Sequence, residues 1–220
     1  MNFLETLTAQ YSSYATYLII FEVIAVIFGL LSVYFSIKKN IWVYPTGIIS
    51  TVLFIYIMFV FGLLGDMLIN VYYTAMSIYG WILWAKHAED HIHVEVKTAS
   101  QNDWKIGSIL FVGSLIFVGL IYYFKPFIDN QFSMQDVKLG LYHLDWANYT
   151  DIVTTSLFLV GMYFMAKRNL ENWIFWIVAD IVCVPMMFYK GLALTGLQYF
   201  VFTAMAIIGY MEWKKNLVKS

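Results

Sequence analysis

Charge is scarce in this chain. Only 12% of its 220 residues are Asp, Glu, Lys or Arg, against 61% hydrophobic and 20% aromatic. So little polar surface does not coat a water-soluble globule of this size, and the composition points to an integral membrane protein. Cysteine is reduced to Cys183, inside a long apolar run, which rules out an intrachain disulfide and leaves the redox compartment unread. The first 15 residues contain Glu5 and no basic region ahead of an apolar stretch. No cleavable signal is therefore expected, and residues 1–16 read as an extramembrane or surface segment. No glycine-rich phosphate loop, nucleophile elbow or paired acid-base motif occurs. Catalysis, a cofactor and a nucleic-acid partner are not expected.

Long apolar runs are what the sequence has in quantity. Stretches of about 20 residues, the length that crosses a hydrocarbon core of roughly 30 Å, fall near 17–37, 42–61, 66–85, 105–124, 150–166, 172–189 and 193–213. Barrel strands are about ten residues long and alternate polar with apolar positions. These runs do not alternate, so the expectation is an all-α protein with seven transmembrane helices. Ten basic residues (Lys38, Lys39, Lys86, Lys97, Lys105, Lys167, Arg168, Lys214, Lys215, Lys219) then share the side of the C-terminus, and three (Lys125, Lys138, Lys190) lie opposite. The positive-inside rule puts the C-terminus in the cytoplasm and the N-terminus outside. In the loop after the third run, His87 and His91 have i,i+4 spacing that suits a metal. No cysteine or fixed carboxylate completes a site there, so it reads as a solvated loop and no metal centre is expected.

Shifted by 129 residues, the chain matches itself. Residues 20–86 lie over 149–215 without a gap, and 18 of the 67 pairs are identical, including Tyr34-Phe35 over Tyr163-Phe164, Lys38 over Lys167, Asn40 over Asn169, Gly80 over Gly209 and Trp84 over Trp213. Composition alone rarely aligns Gly, Trp, Lys and Asn in register, so a three-span unit has been duplicated. An odd number of crossings would invert the second copy, and the fourth span restores the direction. The expected plan is 3+1+3, like that of full-length SWEET-type carriers, with parallel repeats about a pseudo-twofold axis along the membrane normal. Its segments are the first repeat at 17–86, the loop and linking helix at 87–149 (helix about 105–124), the second repeat at 150–215 and a tail at 216–220. A seven-span receptor or sensor shares the topology without needing a parallel repeat. A retinal protein needs a lysine in the last span, and 193–213 has none.

Polar groups inside a bilayer are costly, so the few present are functional candidates. Trp173, Trp176 and Asp180 follow i, i+3, i+7 spacing, which puts two indoles and a carboxylate on one helical face. At about 1.5 Å per residue Asp180 lies roughly 12 Å deep, near the midplane. Trp173 alone reads as an interface anchor, and with Trp176 as a shared stacking surface. Pro185 frees the carbonyl of Ile181 beside the carboxylate. The repeat counterpart of Asp180 is Thr51, so the charge belongs to one half. Asn70, Tyr73 and Ser77 repeat the spacing in the third span, with Asp66 near its outer end and Gln198 on the seventh. Glu22 and Asp151 keep an acid at the same place in both halves, which points to a structural or gating pair. Indoles beside a carboxylate suit a flat cationic heteroaromatic ring.

At these residues the sequence resembles the PnuC family of bacterial vitamin transporters. The likeness runs from the first span to the last and is carried by Trp42-Val43-Tyr44-Pro45-Thr46-Gly47, Ile78-Tyr79-Gly80-Trp81, Glu171-Asn172-Trp173-Ile174-Phe175-Trp176, Phe188-Tyr189-Lys190-Gly191 and Gly209-Tyr210-Met211-Glu212-Trp213. It implies the 3+1+3 fold in the bacterial inner membrane. It also implies facilitated diffusion of nicotinamide riboside, thiamine or riboflavin, with a cytoplasmic kinase trapping the product. Trp173 and Trp176 become ring contacts, Asn70 the polar position of the third span and Asp180 a ligand to the substrate. Carriers of nicotinamide riboside have asparagine where this chain has Asp180, and sequences resembling riboflavin carriers have aspartate. An ionised carboxylate only accepts hydrogen bonds. The expectation is therefore thiamine, with its amino donor and thiazolium charge, ahead of nicotinamide riboside and riboflavin. A homo-oligomer is compatible with this reading.

Overall fold

A computed structural model describes residues 15–61, 64–88, 92–189 and 193–217, with backbone alone for 64–66 and 193–194. Most of the expected N-terminal segment, His91, Lys190, Lys219 and the side chain of Asp66 lie outside the described residues. Among the described residues there are seven helices: α1 Thr16–Ile37, α2 Val43–Val60, α3 Leu64–Ala85, α4 Gln101–Asp129, α5 Trp146–Ala166, α6 Asn172–Tyr189 and α7 Ala193–Lys215. Five of them, α1, α2, α4, α5 and α6, are long and apolar enough to cross a membrane. The other two, α3 and α7, have the length but carry the amides and several of the tyrosines.

Helix starts differ from the apolar runs where a cap moves them. Ser100 accepts from the backbone of Asp103, whose carboxylate bonds back to the Ser100 N–H, and this capping box starts α4 ahead of residue 105. Asp145 and Asn148 make the same box at the head of α5, four residues before the expected 150. A side chain at each boundary replaces the backbone partners that a first helical turn lacks.

The principal contacts close six helices into a ring: α1 on α2, α2 on α3, α3 on α5, α5 on α6, α6 on α7, and α7 back on α1. Helix α4 packs outside the ring against α5. With neighbours on three sides, α5 buries 67% of its most apolar stretch, against 11% for α1.

The two halves meet through a pair of bonds whose donors, and whose acceptors, are 129 apart in sequence. Trp84 donates its indole N–H to the carbonyl of Met165 at 3.2 Å, and Trp213 donates to the carbonyl of Ser36 at 2.9 Å. Tyr44 stands edge-on to Trp84 and Trp173 edge-on to Trp213, at 5.1 and 5.5 Å. The α1–α2 and α5–α6 turns are also alike. Lys39 and Arg168 take φ of 56° and 63°, and Asn40 and Asn169 each donate backbone N–H to the carbonyl five residues back at 2.9 Å, the left-handed helix stop. Residues 92–97 then thread between these turns. Ile41 N–H bonds the Ile92 carbonyl and Leu170 N–H the Lys97 carbonyl, both at 2.8 Å, with Val94 and Val96 buried beneath.

Candidate functional site

Helix α6 sets a deeply buried carboxylate in the ring interior, Asp180, which is 3% exposed. Cys183, one turn further along α6, lies in a core cluster with Phe158 of α5, against which Trp176, Tyr73 of α3 and Tyr199 of α7 pack. Four of the six ring helices therefore meet at this level. No hydrogen bond from a described residue reaches the Asp180 carboxylate.

Around it stands an aromatic wall. The Phe158 ring packs on Trp176 at 5.3 Å and lies parallel to Tyr199 at 6.1 Å with 16° between planes. Trp176 also touches Gly161, where an added Cβ would come within 3.3 Å of the indole. The site offers one carboxylate, phenolic hydroxyls and flat ring faces. That combination stacks a heterocycle and balances a positive charge.

The expected residues divide between this interior and other places. Asp180, Trp176 and Tyr73 come together. Trp173 does not join them: it is 3% exposed in the core at the turn end of the ring, edge-on to Trp213 and against Gly209, in the role Tyr44 plays toward Trp84 and Gly80. Its contacts with Trp213 and Gly209 turn it toward the core. Ser77 is buried facing Gly47 of α2. Thr51 pairs its hydroxyl with that of Thr74. Asn70 and Gln198 are half-buried on α3 and α7, and the Asn70 carbonyl accepts from Thr74 at 2.9 Å. Pro185 lies within α6 on an exposed face. Glu22 and Asp151 are both half-buried, and Asp151 accepts a short hydrogen bond from Tyr122 of α4.

Phe158, Tyr199 and Cys183 were not legible as site residues. One signal was present for Phe158: in the 129-residue self-match it lies opposite Gly29, a glycine set against a large ring. A separate cleft of about 370 Å³ lies on the flank between α4, α5 and α6, lined by Trp104, Phe111, Leu157, Phe164 and Phe175. It does not reach Asp180.

The sequence pattern of the nicotinamide mononucleotide transporter family matches residues 19–215. Similar curated proteins include the nicotinamide riboside transporter PnuC of Escherichia coli (strain K12), 25% identical over 202 residues that cover 87% of this chain and 84% of the relative. The nicotinamide riboside transporter PnuC of Neisseria mucosa is 29% identical over 204 residues, 89% of this chain and 72% of the relative. The riboflavin/roseoflavin transporter RibM of Streptomyces davaonensis is 23% identical over 196 residues, 87% and 83%. The crystal structure of the vitamin B3 transporter PnuC superposes with a TM-score of 0.64 at 23% identity, covering 96% of this chain and 88% of that one. At that identity the likeness is one of fold.

Proposed function

The chain belongs to the nicotinamide mononucleotide transporter family, the PnuC-type vitamin transporters, and on that premise we propose that it carries a flat, positively charged vitamin, thiamine foremost, by facilitated diffusion. It is a multi-pass inner-membrane transporter and not an enzyme. Asp180 carries the substrate reading. An ionised carboxylate beside ring faces favours a ligand that brings donors or positive charge, and thiamine brings both in its aminopyrimidine and thiazolium rings.

The mechanism proposed is alternating access in a 3+1+3 arrangement, with helices α1–α3 and α5–α7 as two parallel units rocking about a central site and α4 linking them. The reciprocal Trp84 and Trp213 contacts support a twofold relation between the units. In this reading the N-terminus is outside and the C-terminus cytoplasmic, Trp176, Tyr73 and Asp180 contact the vitamin, Asn70 and Gln198 contribute polar edges, and a cytoplasmic kinase traps the product. Nicotinamide riboside is the second reading, because two of the relatives are named as its transporters.

Purified protein in proteoliposomes tests this. Labelled thiamine should fill the lumen to equilibrium without a gradient, and unlabelled thiamine should compete better than nicotinamide riboside or riboflavin. Better competition by nicotinamide riboside would move the assignment to that vitamin. Binding without uptake would replace the carrier with a seven-span receptor.

A further inference from the structure

Two equivalent residues of a twofold arrangement touch each other only where the axis passes between them. Ser36 and Met165 are such a pair, 129 residues apart, with the Ser36 Oγ 3.6 Å from the Met165 Sδ. Beside them stand the indoles of Trp84 and Trp213, a second equivalent pair, 6.1 Å apart between ring centroids and fully buried. Each indole N–H crosses to the last turn of the other half's first helix, at 3.2 and 2.9 Å. The six-helix ring is therefore plugged on its axis at the end where the α1–α2 and α5–α6 turns lie. Asp180 sits about 12 Å further along α6 from its first residue. A solute at Asp180 reaches this end only if the plug parts.

We infer that Trp84 and Trp213 form the gate of the path at this end, and that their two crossed indole hydrogen bonds are the latch holding it shut. The bonds are suited to breaking. The carbonyls of Ser36 and Met165 each also accept from the turn, from Lys39 and Arg168 N–H at 2.9 Å, so an opened gate leaves neither carbonyl bare. The freed indole N–H groups would face water entering the path. A neutral hydrogen bond biases an equilibrium by roughly fivefold. Two hold the gate shut, yet remain within what differential binding of a substrate reverses. The 92–97 strap, paired to both turns, keeps them tethered as the indoles separate.

The inference rests on the carrier reading, and its tests separate the two. Trp84→Phe with Trp213→Phe keeps both rings and removes both donors. In nanodiscs, alkylation of Cys183, which is 1% exposed one turn beyond Asp180, by a water-soluble maleimide should become on the order of tenfold faster than in the unaltered protein. An unchanged rate would overturn the latch. Because that variant also loosens packing, Ser36→Cys with Met165→Cys gives an independent arm. Bridging the two thiols with a short bis-methanethiosulfonate should stop uptake of labelled thiamine and of labelled nicotinamide riboside, and reductant should restore it. Uptake that continues through the bridged protein overturns the gate and leaves the carrier intact. Absence of uptake from the unbridged protein and the unaltered chain alike counts against the carrier reading itself.

Discussion

Thr51 and Thr74 share a hydrogen bond of 2.7 Å between α2 and α3, and 129 residues on the same two places are held by Asp180 and Thr203. In the first half two hydroxyls satisfy each other. The Thr74 hydroxyl also donates to the Asn70 carbonyl at 2.9 Å, as Thr203 does to the Tyr199 carbonyl in the second half, but there the Asp180 carboxylate receives nothing from the described residues. The two places correspond under the 129-residue shift, and the second holds an acceptor that the described residues do not fill. That difference loads the ring interior toward α6.

Asp180→Asn should flatten or reverse the preference between vitamins. Asparagine offers a donor and an acceptor, which match a carboxamide, and it gives up the charge that a thiazolium meets. A hydrogen bond to a charged group contributes about 1.5–3 kcal/mol, so thiamine affinity should fall by at least about tenfold while nicotinamide riboside loses less. Competition of each unlabelled vitamin against labelled thiamine reads the ratio. The same ratio in both proteins would remove Asp180 from selection.

Trp176 and Trp173, one helical turn apart, should fail differently. Trp176→Ala removes a ring face beside Asp180 and should weaken substrate binding by about 1–3 kcal/mol, the scale of stacking on an aromatic side chain. Trp173→Ala empties a core site against Gly209 and Trp213, and large-to-small changes there cost about 3–5 kcal/mol of stability. Thermal unfolding in detergent and calorimetric binding on the same samples distinguish them. Trp173→Ala with full stability and altered vitamin preference would return that indole to the binding face.

Seven helices and their approximate bounds were readable because bilayer-length apolar runs are a strong and local signal. The 129-residue self-match is visible as well, and two of its identical pairs, Gly80 with Gly209 and Trp84 with Trp213, make corresponding contacts. What stayed hidden was the division of labour along α6. Periodicity puts Trp173, Trp176 and Asp180 on one face, but it does not say where along that face the neighbouring helices close in. Trp173 lies level with the axial plug and Trp176 level with the wall of Phe158 and Tyr199. Closure of the ring through α1–α7 and α3–α5 depends on contacts more than a hundred and about eighty residues apart, as the Trp213–Ser36 and Trp84–Met165 bonds illustrate, and no local pattern carries such information.

Glycine at 80 and 209 is required by close approach. A Cβ at Gly80 would lie 2.5 Å from the Tyr44 ring, and one at Gly209 2.5 Å from the Trp173 ring. Each ring also stands edge-on to the tryptophan one turn further along the glycine's own helix, Trp84 and Trp213. Gly80→Ala and Gly209→Ala should each destabilise by about 1–3 kcal/mol, the usual cost of overpacking. Pairing Gly80→Ala with Tyr44→Leu should recover part of the loss. A purely additive double variant would show that the ring is not the obstacle.

Acid should loosen α4 through Asp103. Burial pushes this carboxyl up, but hydrogen bonds from the Ser100 backbone and hydroxyl, with the Lys97 charge nearby, outweigh burial and hold it below the usual aspartate range. A folded pKa below the unfolded one means the carboxylate contributes stability above the unfolded value, about 3.9. That contribution is lost as pH falls through the folded pKa. At neutral pH, Asp103→Asn should lose about 1 kcal/mol, the scale of a helix cap. Between pH 5 and strong acid the unaltered protein should then converge on the variant (about pH 5 marking where the unfolded carboxyl begins to protonate). Every other carboxylate titrates in both proteins, so the difference between their unfolding temperatures isolates this one. Parallel curves throughout would assign the cap to the Ser100 hydroxyl alone. Convergence would identify Asp103 as an acid-sensitive cap of α4, a helix whose hydrogen bond from Tyr122 to Asp151 depends on a carboxyl as well.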